Sequence, residues 1–211
     1  MLRAGLTGGM ACGKSTVAKI FSSLGAYVLQ ADALAHELYR PGGPVYLELV
    51  KRFGPEIVQP DEADGAIDRR RLAALAFDGG RVEELNRIVH PAVFQRQEQW
   101  MAEISEADPH AVALVEAALI FEAGAAARFD KIIVVSCRPE QKIARLAQRL
   151  SINEAAARAD VERRTRAQLS DEEKVRRADY VIDNSGPPEM TSRQVEKIFK
   201  ELKALAQAGA S

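Results

Sequence analysis

The apolar and polar positions of this chain fall into two rhythms. Leu2–Thr7 is a short apolar run ending at Gly8-Gly9, the pattern of a buried parallel strand. Val17, Ile20, Phe21 and Leu24 then recur at helical spacing, which predicts a helix from about Gly13 to Leu24, closed by Gly25. Tyr27–Gln30 reads as a second strand, followed by a helix carrying Leu34, Ala35 and Leu38. From Pro41 to about Asp108 the strand signal disappears. Helical stretches there are broken at Pro41-Gly42-Gly43-Pro44, Gly54-Pro55, Asp64-Gly65 and Gly79-Gly80, and a long helix is expected from about Pro91 to Glu106. Strands return at Val112–Val115, with an extension toward Phe121, and at Ile132–Ser136. A helix over Pro139–Leu150 carries Ile143, Leu146, Ala147 and Leu150 on its apolar face. Residues 151–178 are helical and polar, Tyr180–Ile182 forms the last strand, and Glu189–Ala206 is an amphipathic terminal helix. Strands alternating with helices predict an α/β class: five strands in a mostly parallel sheet flanked by helices.

This pattern divides a single domain into a core (about 1–40, 110–150 and 179–211), a helical insertion (about 41–108) and a polar helical segment (about 151–178). With 211 residues, 47% hydrophobic and 28% charged, the chain has a globular composition. A net charge of -1 gives no global field for nucleic acid or an anionic membrane. The charge is uneven, however. Between Arg138 and Arg177, 11 Lys and Arg stand against 7 Asp and Glu, a basic segment suited to a small polyanion or to a solvated helical surface. Two cysteines, Cys12 and Cys137, make no disulfide framework for a chain of this length. Without a signal-peptide pattern or an apolar run of membrane-spanning length, a cytoplasmic location is expected.

Gly8-Gly9-Met10-Ala11-Cys12-Gly13-Lys14-Ser15 satisfies G-x-x-x-x-G-K-[ST] between a strand and an amphipathic helix. Glycines let the backbone come close to phosphates, and successive N–H groups form an anion nest reinforced by the helix dipole. Gly9, Ala11, Cys12 and Gly13 contribute through the main chain. Lys14 brings a mobile cation to the β- and γ-phosphates, Ser15 offers a hydroxyl to Mg²⁺, and Thr16 lies near the α-phosphate. A redox role is the alternative for Cys12. The guanine-reading N-K-x-D tetrapeptide is absent, which points to a small kinase rather than a GTPase. Asp32, just past the second strand, either takes a proton from an acceptor hydroxyl or N-caps a helix starting at Ala33. Lys142, Arg145 and Arg149 form a basic stripe; Arg145 is the best candidate to meet phosphoryl charge, with Arg149 second. The segment around Arg163, Arg164 and Arg166 has the character of a lid that excludes water.

At this point the residues resemble the dephospho-coenzyme A kinase family. Gly5-Leu6-Thr7-Gly8-Gly9 resembles its amino terminus, and Ala31-Asp32-Ala33-Leu34-Ala35-His36 its A-D-x-x-A-H stretch. Asp68-Arg69-Arg70-Arg71-Leu72 and Leu85-Asn86-Arg87-Ile88-Val89-His90-Pro91 are similar to its insertion motifs. Leu119–Glu122, Gln168 and Ala178–Gly186 follow in the family's order. The resemblance implies a P-loop kinase fold and ATP-dependent transfer to the ribose 3′-hydroxyl of dephospho-CoA. It implies Asp32 as the base, Arg145 on the ATP phosphates, Asn184 near the adenine and the insertion as cover over the substrate. Arg69 meets a substrate phosphate or pairs with a neighbouring acid, and His90 contacts substrate or serves as a structural hydrogen-bonding residue. Gln30 stands where family members often carry a second Asp, and Ala118 where a proline is frequent. The expected assembly is a monomer or small homo-oligomer. Two other readings share the loop: a different nucleoside or metabolite kinase, and a non-catalytic nucleotide-dependent switch.

Overall fold

The computed structural model describes residues 1–59, 65–166 and 168–209. In chain order these form β1 (Leu2–Gly8), α1 (Lys14–Ser23), β2 (Tyr27–Gln30), α2 (Ala31–Leu38), α3 (Pro44–Phe53), α4 (Arg69–Phe77), α5 (Val82–Ala107), β3 (Val112–Glu116), β4 (Lys131–Ser136), α6 (Pro139–Leu150), α7 (Glu154–Arg166), α8 (Asp171–Arg176), β5 (Tyr180–Asp183) and α9 (Pro188–Ala208). Met1–Leu29 with Glu103–Ser211 make one compact unit, and Gln30–Ala102 another.

The five strands lie in one sheet in the order β2-β3-β1-β4-β5. β1 pairs in parallel with both β3 and β4, and β4 with β5. Leu6 lies opposite Glu116, Gly8 opposite Val135, and Ser136 opposite Asp183. The carboxyl ends of β1, β3, β4 and β5 therefore share one edge, where parallel α/β sheets collect their ligands. Leu6, Leu114, Ile133 and Ile182 from the sheet pack with Phe21 of α1 and Leu202 of α9 in the main core. Val195, Ile198, Phe199, Leu202 and Ala206 are buried along α9, so its helical spacing becomes one apolar face. A smaller cluster joins Ile143 and Leu146 of α6 and Ala157 of α7 to Met10 and Ala11 of the glycine-rich loop.

α1 ends as expected. Gly25 takes φ +101 while its N–H donates to Ser22 O (3.0 Å), and Ala26 N–H donates to Phe21 O (3.0 Å). These two bonds make a Schellman closure, in which glycine avoids the strain a side chain would suffer at positive φ.

In the Gln30–Ala102 unit, Asp68 N-caps α4 by accepting from the N–H groups of Arg70 and Arg71 (3.0 and 3.1 Å). Arg81 stacks over the Phe53 ring at 4.4 Å and also reaches Glu84 at 2.9 Å. Between the helices only an isolated antiparallel bridge, Val58 to Ile67, has strand geometry among the described residues. Asp64, half of one expected break, lies outside the described residues.

Three boundaries differ from the sequence reading. α2 begins at Ala31, with Gln30 as its N-cap, so Asp32 sits in the first helical turn and does not cap a helix at Ala33. α5 begins at Val82 and continues through Pro91. The missing proline N–H and ring clash cost ~3 kcal/mol, against which Val89 and Val93 are buried on either side. β3 stops at Glu116, and residues 118–124 form turns rather than an extension toward Phe121.

Candidate active site

The Gly8–Ser15 loop leaves the end of β1 and enters α1 directly. Its glycines are fixed by what surrounds them. Gly8 has φ +149, and a Cβ there would sit 2.2 Å from the Val135 carbonyl oxygen of the neighbouring strand. Gly13 has φ +92, and a Cβ there would come within 2.2 Å of Asn184 Nδ2. Even Ala11 adopts a positive φ of 56°, so the loop alternates handedness as an anion nest does. Gly13, the N-cap of α1, carries no side chain with which to cap the first N–H groups of the helix.

Lys14 Nζ donates to the carbonyls of Gly8 (3.1 Å) and Gly9 (3.2 Å), folding the cation back across the loop. Ser15 Oγ donates to Oε1 of Glu116 (2.8 Å), the buried last residue of β3. Glu116 escaped the sequence reading because it closes an apolar strand without any motif around it. A buried carboxylate at a strand's carboxyl end is nonetheless costly to place there, and that cost was the available signal.

The Asn184 amide is engaged at both ends. Nδ2 donates to the Cys12 carbonyl (2.8 Å), and Oδ1 accepts from Thr191 Oγ1 (2.8 Å). Arg145 donates to the same Cys12 carbonyl through Nη1 (3.4 Å) and to the Asn184 carbonyl through Nη2 (2.9 Å). The basic stripe of α6 thus divides into three environments. Lys142 is buried in an ion pair with Asp171 at the start of α8, Arg145 grips the loop, and Arg149 is exposed. A Cβ on Gly9 would lie 3.0 Å from Lys142 Nζ and 2.5 Å from Asp171 Oδ1, so this pair presses α8 against the loop. A cavity of about 300 Å³ opens here, lined by Gly13, Lys14, Ser15, Thr16, Arg145 and Arg149 among others.

A second ion pair supports the same region. Lys174, fully buried on α8, reaches Glu122 Oε1 (2.9 Å) and donates to Gln168 Oε1 (3.2 Å), while Leu169 N–H donates to the same carboxylate oxygen (3.1 Å). The sequence offered Glu122 and Gln168 but not the lysine that joins them.

The remaining candidates belong to the Gln30–Ala102 unit. Asp32 is exposed on α2, and His36 follows four residues later on the same helical face. Arg69 Nη1 lies 2.8 Å from His36 Nε2. Its observed partner is thus a histidine rather than a neighbouring acid, and the guanidinium, which only donates, makes the ring nitrogen the acceptor. His90 is half-buried within α5, its ring 5.7 Å from that of Phe94, and burial lowers its pKa.

The parallel sheet, the nested loop at its carboxyl edge and the arginine-walled cavity define a P-loop kinase. A family model for dephospho-CoA kinase matches residues 2–189. The chain belongs to the dephospho-CoA kinase family and is a kinase, hence a transferase. It is 43% identical over 203 residues to the dephospho-CoA kinase of Aquifex aeolicus (strain VF5), covering 96% of this chain and 98% of that protein. Among solved structures, TT1252 from Thermus thermophilus aligns with a TM-score of 0.76 at 34% identity, over 95% of this chain and 97% of that one. Dephospho-CoA kinase from Campylobacter jejuni aligns at 0.59 and 25% identity, over 95% and 96%.

Proposed function

We propose that this chain transfers the γ-phosphoryl group of ATP to the ribose 3′-hydroxyl of dephospho-CoA, with the Gly8–Ser15 loop holding the donor and Asp32 activating the acceptor. The observation that carries the donor assignment is the cavity lined together by the loop, Lys14, Arg145 and Arg149. Phosphoryl transfer depends on positioning and on positive charge around the equatorial oxygens. The loop N–H groups and Lys14 supply both for the β- and γ-phosphates, and Lys14 exchanges the Gly8 and Gly9 carbonyls for phosphate oxygens. Arg145 and Arg149 face the same space. Arg145 also fixes the Cys12 carbonyl, so it orients the loop as well as the nucleotide. Asn184 acts through that carbonyl and through the close approach of Gly13.

Mg²⁺ fits the oxygen donors at Ser15, whose hydroxyl is backed by the Glu116 carboxylate. Among the described residues no cluster of three or more His, Cys, Asp or Glu side chains is arranged to hold a metal alone. This agrees with an ion that shares its coordination with substrate phosphates. Bound there, it would neutralise charge on the β- and γ-phosphates. Ser15 would hold it, with the Glu116 carboxylate behind the hydroxyl.

On the acceptor side, Asp32 is exposed and free of a capping duty, as a base that meets a substrate hydroxyl must be. Arg69, through His36, and His90 on α5 are assigned to the substrate. A cavity of about 300 Å³ within the same unit is lined by Arg40, Gln95, Arg96 and Gln99 together with Glu37 and apolar residues, bringing cationic, amide and apolar groups to one place. The insertion (about 41–108) covers the substrate, and the 151–178 segment, tied down by Lys142–Asp171 and Lys174–Glu122, serves as the lid. Two free thiols suit a reducing compartment, and we place the reaction in the cytoplasm.

The test is ADP release measured with dephospho-CoA, adenosine or phosphopantetheine as acceptor. Turnover with dephospho-CoA alone is expected. Asp32→Asn should lower kcat by about 10²–10⁴-fold while ATP affinity stays within a factor of about two. Near-full turnover by that variant would remove the base assignment.

A further inference from the structure

The two cysteines stand 125 residues apart in sequence, yet their Sγ atoms lie 3.3 Å apart in hydrogen-bond contact, both as free thiols. Cys12 belongs to the phosphate-binding loop and is fully buried, whereas Cys137 follows β4 and is half-exposed. Strand register explains the meeting. Gly8 pairs with Val135, so the residue four past Gly8 in the loop folds back over the residue two past Val135. We propose that Cys12 and Cys137 form a reversible disulfide that disables the phosphate-binding loop.

The chemistry is thiol–disulfide exchange with a low-molecular-weight disulfide. Cys137 is the entry point because it alone reaches solvent. Its hydrogen bond with Cys12, followed by the nearby Arg145 and Lys142 cations, brings its thiol down to about 7, so thiolate is present at neutral pH. A thiol whose pKa lies near the ambient pH is also the best attacking group. Its partner is the opposite case: the shared hydrogen bond and burial push the Cys12 thiol up. The Cys137 thiolate attacks one sulfur of the small disulfide, forming a mixed disulfide and expelling the first small thiolate. Cys12 then gives up its proton and attacks Cys137 Sγ, and the second small thiolate leaves. Two protein thiols are oxidised to one disulfide and one small disulfide is reduced to two thiols, which take the two protons. Excess thiol reverses both steps.

Closing this bond costs the loop its shape. A disulfide holds its sulfurs about 2.05 Å apart, so the pair must approach by more than an ångström. The neighbouring main chain has little freedom to follow. The Cys12 carbonyl is held by Asn184 and Arg145, and a Cβ on Gly9 would already lie 3.2 Å from Cys12 Sγ. Movement at Cys12 therefore turns the N–H groups of the nest away from their phosphate-facing positions. Losing one charge-assisted hydrogen bond weakens binding by about tenfold or more. By linkage, bound nucleotide disfavours the disulfide by the same factor.

The full chain, reduced and then incubated with oxidised glutathione, tests this directly. Free thiols should fall from two to none, the intact mass should show no retained glutathione, and ADP affinity by calorimetry should fall about tenfold or more. Dithiothreitol should restore binding, and saturating ADP should suppress the disulfide. Cys137→Ser should bind ADP like the unmodified protein and keep that affinity in the oxidant. Cys12→Ser should trap a single glutathione on Cys137. Three results each overturn the proposal: persistent free thiols, a disulfide form that binds ADP unchanged, or a Cys137→Ser variant that still loses binding in oxidant. ADP binding needs no acceptor, so these outcomes are independent of whether dephospho-CoA is the substrate.

Discussion

The Ser15 hydroxyl donates to the Glu116 carboxylate at 2.8 Å, joining the first turn of α1 to the last residue of β3. The residue proposed to meet Mg²⁺ is thereby backed by a buried anion that the loop motif does not contain. Glu116→Gln preserves shape and hydrogen bonding but removes the charge. The Mg²⁺ concentration for half-maximal activity should rise by about 10–100-fold, the usual cost of losing an outer-shell carboxylate, with the melting temperature little changed. A Mg²⁺ titration matching the parent protein would refute this role.

Arg145 spans two carbonyls, Cys12 and Asn184, with two nitrogens of one planar group. A lysine presents a single point charge and cannot make both contacts in that geometry. Arg145→Lys should therefore lower ATP affinity and kcat together, by about tenfold or more, as read from nucleotide titration and steady-state rates. Retention of both constants would show that charge alone suffices there.

Lys174 and Glu122 form a buried pair beneath α8. Lys174→Ala leaves the carboxylate without its cation and should destabilise the protein by about 3–5 kcal/mol, measured by urea unfolding. The double variant Lys174→Met with Glu122→Leu should recover most of that loss, because it removes both charges. If the double variant is no more stable than the single one, packing and not charge explains the effect.

His90 gives the fold a pH dependence of predictable sign. Burial lowers its pKa below the ordinary 6.5, so the unfolded chain binds the proton more readily than the folded one. Stability is unaffected above the unfolded value, falls as pH drops through it, and levels off below the folded value. His90→Gln should flatten the unfolding free energy across that window in urea titrations at successive pH values. An unchanged slope would mean that other groups carry the dependence.

Replacing Gly8 with alanine forces a Cβ to 2.2 Å from the main-chain oxygen of Val135, in a strand that has no slack. Gly8→Ala should lose stability and nucleotide binding together. Gly80→Ala, also at positive φ but with nothing within 4 Å, should cost only the ~1–2 kcal/mol of left-handed backbone strain. Equal melting temperatures for the two variants would overturn the steric account.

The residues legible in sequence are those whose meaning is local. The P-loop, the 3.6-residue period of α1, α6 and α9, and the Schellman glycine at Gly25 depend on neighbours within a few positions, where spacing and stereochemistry act directly. The Asp32 stretch, the Asp68-Arg69 pair and His90 could likewise be found as short motifs. Their partners could not. Local residue type suggests a cap at Asp32 and a helix start at Pro91, whereas Gln30 is the N-cap of α2 and α5 runs through Pro91. Both were settled by packing: the strand end sets where α2 can begin, and buried Val89 and Val93 offset the break at Pro91.

By itself, then, the sequence determined a nucleotide-gripping loop, an α/β alternation and the family to which the chain belongs. Only the tertiary structure decided that Glu116 stands behind Ser15, that Asn184 and Arg145 clamp one carbonyl of the loop, and that Cys12 touches Cys137. The reason is geometric. These contacts join residues 101 to 172 positions apart, and they exist because the parallel register of β1 with β3 and β4, and of β4 with β5, brings four strand ends to one edge. Register is set by the whole sheet and its core at once, and no local stretch of chain contains it.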